Sequence, residues 1–104
     1  MTLRQAQGHP ESHRGMTARF YFANLCADVS RFLKARAERN ETRAQDALSR
    51  AYRTLSFLRN AGRPEAYEEG LLLLRGAVLA AEERLEETRA ALDALARQYH
   101  TVSE

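Results

Sequence analysis

Residues 64–102 read PEAYEEGLLLLRGAVLAAEERLEETRAALDALARQYHTV, and the spacing of the apolar residues in this stretch decides the fold. Tyr67, Leu71, Leu74, Val78, Ala81, Leu85, Thr88, Leu92, Leu95, Tyr99 and Val102 recur at alternating steps of four and three. A stripe held at that period for about five heptads predicts one long helix over residues 64–100, lying along other helices. Pro64 suits the first helical position, where its missing N–H is not needed. Glu65, Glu68 and Glu69 then place negative charge at the positive end of the helix dipole.

Upstream of this stretch, two shorter helices are expected. The first runs over about 17–39 from an N-cap at Thr17, with Phe22, Leu25, Val29 and Phe32 as its stripe, widened by Tyr21, Cys26 and Leu33. The second covers about 41–60, with Ala44, Leu48, Ala51, Leu55 and Leu58 on one face. Asn40 suits the exit from one helix and the entry to the next, while Thr42 and Gln45 offer a capping box as the alternative start. Gly62 supplies a residue that takes φ > 0 without steric cost after the second helix ends. Residues 1–16 carry Gly8, Pro10 and Gly15 and no helical stripe, so they read as a flexible polar arm ahead of a single helical domain over 17–104.

Short connections make consecutive helices antiparallel neighbours, but the predicted lengths do not match. Two helices of about 30–35 Å stand beside a third of about 55 Å. Its last part, from Glu86 onward, would continue the apolar stripe with no partner in its own chain, and packing rather than propensity sustains most helices in water. On the opposite face of the first half, Leu72, Leu73, Gly76, Leu79 and Ala80 make that half apolar nearly all round. The fold expected from the sequence is therefore all-α, an antiparallel three-helix bundle with an overlong third helix, completed by homodimerisation into a larger bundle. Leu72, Leu73, Gly76, Leu79, Ala80, Leu92, Leu95 and Tyr99 are the expected self-association residues. Gly76 in mid-helix costs roughly 1 kcal/mol relative to Ala, and close approach of another backbone would be a reason to keep it.

Composition agrees. The chain has 104 residues, 5 of them Gly and 2 Pro, and Ala, Leu, Arg and Glu dominate, which favours helix. At this size the stability margin is thin, and oligomerisation would widen it. The single Cys26 has no internal disulfide partner, no apolar run approaches a membrane span, and the first fifteen residues lack the apolar middle of a secretory signal. A cytoplasmic protein without membrane contact is expected.

Net charge is +2, unevenly placed. Nine basic residues stand against three acids between Arg31 and Arg63, and nine acids against four arginines from Pro64 to Glu104. One reading sets the basic second helix against the acidic third, with charges fixing register. The other makes Arg39, Arg43, Arg50 and Arg53 a phosphate-contacting stripe, which Phe57 continues as a surface for stacking a base. The first is favoured, because no nucleic-acid motif is present.

The residues that carry chemistry are sparse. His9 and His13 have a metal-ligand spacing, but Pro10 between them opposes the helix that would align them. Cys26 lies among apolar neighbours, where a free thiol usually acts as a small hydrophobe. There is no Gly-rich phosphate loop and no Glu-x-x-His unit. The expectation is a non-enzymatic helical interaction module, a small homo-oligomeric scaffold or adaptor without metal or cofactor, with another protein as a further partner. The alternative is an Arg-rich nucleic-acid-binding accessory subunit using its second helix.

Overall fold

The computed structural model describes residues 10–102, with side chains from Ala18 to Arg97. Four α-helices account for nearly all of it: α1 (Pro10–Ala37), α2 (Glu41–Arg59), α3 (Pro64–Leu79) and α4 (Leu85–Val102), with a 3₁₀ turn over Glu82–Arg84 before α4. No strand occurs among the described residues.

The first connection joins two caps. Arg39 takes φ 59° at the end of α1, its N–H donates to the Arg36 carbonyl, and the Asn40 N–H reaches the Ala35 carbonyl. This is a Schellman closure built on arginine instead of glycine. Asn40 Oδ1 then accepts from the Arg43 N–H at 3.1 Å, so Asn40 caps α2 and the Thr42–Gln45 box is not needed. At the second connection Gly62 has φ 84° and Pro64 opens α3, as the sequence indicates. The start of α1 differs from expectation. The helix begins at Pro10, so residues 10–16, read as part of the arm, are helical; residues 1–9 lie outside the described range.

The larger correction concerns the overlong helix. Residues 64–100 form two helices, because Ala80 and Ala81 adopt extended backbone with ψ 136° and 153°. Propensity does not ask for a break at two alanines. Tertiary packing does. α3 runs alongside α1 from Ala66 near Ala18 to Ala77 at Arg36, then the chain turns and α4 returns along α1 in the opposite direction. The reversal buries Leu85 and Leu92 to 2% and 5% exposure, which a straight helix would have left in water. Burying each is worth roughly 2 kcal/mol, a gain set against the helical hydrogen bonds given up at the break. Arg36 holds the break: Nη1 donates to the carbonyls of Ala77 at 3.2 Å and Ala80 at 3.1 Å. It supplies partners and positive charge where the α3 carbonyls run out. From Leu85 to Ala96, the apolar stripe that calls for a second copy is thus packed on the chain's own α1.

α1 is the central helix, in contact with α2, α3 and α4. Phe22, Leu25, Cys26, Val29 and Leu33 are essentially inaccessible and form the middle of the core. From α2, Ala44, Ala47, Ala51, Leu55 and Leu58 close one side of it, with Leu48 half-buried. Gly70 marks the closest approach of α3. A Cβ there would lie 2.8 Å from Leu25 Cδ2 and 3.0 Å from Leu58 Cδ2, so only glycine lets α3 settle onto both helices. Polar pairs fix the register: Thr54 Oγ1 donates to buried Asp28 on one side of α1, and on the other Ser30 Oγ donates to Asp93 and accepts from Arg89 Nε.

Candidate docking groove and basic face

α3 and α4 are adjacent in sequence and both lie on α1, yet they hardly touch each other. Between them runs an open apolar groove of about 390 Å³. Val29 and Leu33 of α1 form its floor together with Ala77 and Leu92. Leu72, Leu73 and Gly76 line the α3 wall, and Thr88, Ala91 and Leu95 the α4 wall. The walls are low where Gly76 and Ala91 stand. A Cβ on Gly76 would meet nothing within 4 Å, so no contact inside the molecule requires glycine there.

The groove gathers five of the eight residues expected to mediate self-association: Leu72, Leu73, Gly76, Leu92 and Leu95. Leu72 and Leu79 are the exposed large side chains among them, at 69% and 75%, one heptad apart on the outer side of α3. Leu73 and Leu95 are half-buried, and Ala80 sits half-buried at the break. Leu92 is buried, packed in the core against α1 as well as lying at the groove floor. Tyr99 lies in α4, with its side chain outside the described set. The sequence reading missed Val29, Leu33, Ala77, Thr88 and Ala91 as groove residues, because only the reversal after Ala80 brings α4 beside α3.

On the other side of α1, Arg31, Lys34, Arg43 and Arg50 surround a shallow cleft of about 470 Å³ between α1 and α2, together with Glu38 and Asp46. Arg43 and Arg50 are brought together as their seven-residue spacing indicated. Arg39 is held in the turn, facing a different hollow with Glu82, and Arg53 is exposed on α2 outside the cleft. The expected charge pairing of α2 with the acidic segment is not formed among the described residues. Arg31–Asp28, Arg63–Glu65 and Arg84–Glu87 are all local pairs. Lys34, Arg43 and Arg50 have no carboxylate within ion-pair distance among the described residues.

Beyond this cleft, on the same two helices, three rings cluster. Tyr21 stacks on Phe57 at 5.3 Å with 29° between the planes, and Phe20 meets Tyr21 edge-on at 5.4 Å. Phe57 is 48% exposed, so it is not the core residue its helical position could have made it.

Cys26 lies between the two faces, fully buried. Burial above all, with Glu69 and Asp93 nearby, pushes its thiol up to about 12. A thiol so held carries no thiolate at neutral pH and does not act as a nucleophile. Arg63 beside Glu65, with the start of α3, holds that exposed carboxyl below its ordinary range; the backbone hydrogen bond is the larger cause. No cluster of metal-ligating side chains occurs among the described residues, and the imidazoles of His9 and His13 lie outside them. No described helix is long and apolar enough to cross a membrane.

The chain matches no known family model, no curated protein and no solved structure.

Proposed function

We propose that this protein is a non-enzymatic helical interaction module, a small scaffold or adaptor that self-associates through the α3–α4 side. The observation that carries the reading is the juxtaposition of an apolar ridge and an apolar groove on one helix. Leu72 and Leu79 stand out from α3 about 10.5 Å apart, and the groove opens beside them. One copy thus supplies both halves of a contact, the requirement for a closed two-fold pair. A second α3 laid antiparallel across the first seats each Leu79 beside the other copy's Gly76. The missing side chain at Gly76 leaves room there for a close backbone approach.

A second copy is the occupant this reading commits to, because an apolar ridge and an apolar groove lie side by side on the same helix. Residues 64–104 carry nine acids against four arginines, so two such faces repel when brought together. Raising salt therefore tightens this dimer by screening.

Light scattering tests the proposal. The full-length chain is expected near twice 11.8 kDa, and Leu79→Glu near 11.8 kDa with unchanged helical circular dichroism, since Leu79 is exposed in the single copy. A single-copy mass for the unaltered chain up to 100 μM, with or without 0.5 M salt, rejects self-association and leaves the groove to another protein.

A further inference from the structure

We propose that the α1–α2 face, opposite the self-association groove, binds single-stranded nucleic acid: phosphates lie over Arg31, Lys34, Arg43 and Arg50, and a base stacks on Phe57. Two independent observations meet on this face. The first is a set of cations without ion-pair partners among the described residues. Lys34, Arg43 and Arg50 converge on one cleft, and Arg31 is held at its edge by Asp28 at 2.9 Å with donors to spare. A basic helix that neutralised the acidic segment of its own chain would show these arginines spent on Glu and Asp, and they are not.

The second is the aromatic stack farther along the same pair of helices. Two rings already stacked, the outer one half-exposed, form a preordered platform that costs little conformational entropy to use. Arg43, Arg50 and Phe57 are spaced by seven residues and lie in one row on α2, about 21 Å from end to end. A charged groove that tracks the backbone and ends on an exposed ring is how proteins hold unpaired strands. A duplex keeps its bases stacked on each other and offers nothing to Phe57. Glu38 and Asp46 within the cleft limit the number of phosphates to three or four, so the binding is modest and strongly salt-dependent.

This site shares no residue with the self-association groove, so either proposal can fail alone. The test is fluorescence anisotropy of the full-length protein with a labelled 15-nucleotide mixed-sequence single strand, with its duplex and with heparin as competitors. Binding to the single strand at 20 mM salt is expected, weakening with a slope of log K against log salt of about −2 to −3, from roughly 0.7 per phosphate. Arg43→Ala with Arg50→Ala flattens that slope by about 1.4. Phe57→Ala lowers single-strand affinity about tenfold with the slope unchanged, and Phe57→Trp restores it. Duplex competes at least tenfold less well than the single strand. No binding at 20 mM salt overturns the proposal. So does binding that duplex and heparin match and that ignores Phe57→Ala, which would reduce the face to a generic polyanion surface.

Discussion

The two sides of α1 are finished differently. Toward α2 the contact is the more extensive and its hollow is polar: a capped turn at Asn40, buried Asp28 holding Thr54 and the Tyr21–Phe57 stack tie the two helices together beside the basic cleft. Toward α3 and α4 two helices sit on α1 without meeting, and the space between them stays open and apolar. In a chain this small, sealing one side provides the stability that lets the other remain available. Among the large apolar side chains that stay exposed, Leu72 and Leu79 form the ridge beside the groove, while Phe20, Tyr52 and Phe57 lie on α1 and α2.

Two glycines on α3 express the same contrast, and substituting them gives the largest expected effect. At Gly70 even a methyl group runs into Leu25 and Leu58, so Gly70→Val forces α3 off the core. It should cost 3 kcal/mol or more in chemical denaturation, by overpacking plus the shift of a helix. At Gly76 nothing opposes a methyl group, so Gly76→Ala should stabilise the single copy by up to about 1 kcal/mol through helix propensity. The same change should weaken the dimer, since it fills the space kept for a second backbone. Similar losses at both positions would mean that the α3–α4 side is as tightly packed as the α1–α2 side, and the contrast would be lost.

Much of this architecture is legible in the sequence, and the reason is local. Phe22, Leu25, Val29 and Phe32 declare the buried face of α1 by their spacing, and Asn40, Gly62 and Pro64 mark connections through backbone preferences that neighbours do not override. The stripe through Leu85, Leu92 and Leu95 likewise marks residues that need a contact. What the stripe does not reveal is whom they contact. Ala80 and Ala81 favour helix, and the interaction that fixes the break there comes from Arg36, more than forty residues away in sequence. The groove inherits the same blindness, because it exists only if α4 turns back. The basic cleft was half legible: the spacing of Arg43 and Arg50 put them on one side of α2, but their lack of acidic partners depends on where α3 and α4 come to rest.

Cys26 reports how firmly the less finished side is held. It lies on α1 beneath the two helices that carry Glu69 and Asp93, and its thiol is raised to about 12 from 9.0. Below pH 9 both folded and unfolded chains keep the proton, and the buried thiol's full contribution to stability is present. Between pH 9 and 12 the unfolded chain loses the proton while the folded one retains it, so stability falls as pH rises. At pH 10 the loss should be on the order of 1 kcal/mol relative to pH 8. Denaturation of the wild type and of Cys26→Ala at both pH values isolates it, since every other titrating group cancels in the difference. If the gap between the two proteins stays constant from pH 8 to pH 10, water reaches Cys26 and the α3–α4 side is looser than its packing indicates.

The smallest effect concerns the turn that closes the finished side. Arg39 holds a left-handed backbone conformation that costs a residue with a Cβ roughly 1 kcal/mol. Glycine would remove that strain but give the unfolded chain more freedom, so Arg39→Gly should gain about 0.5 kcal/mol, or roughly 2–4 °C in melting temperature. Arg39 points away from the cleft lined by Arg31, Lys34, Arg43 and Arg50, toward the hollow it shares with Glu82. Single-strand affinity should therefore change less than twofold. A tenfold loss of affinity together with the stability gain would mean that the binding surface wraps around the turn, and would explain why an arginine is kept where glycine fits better.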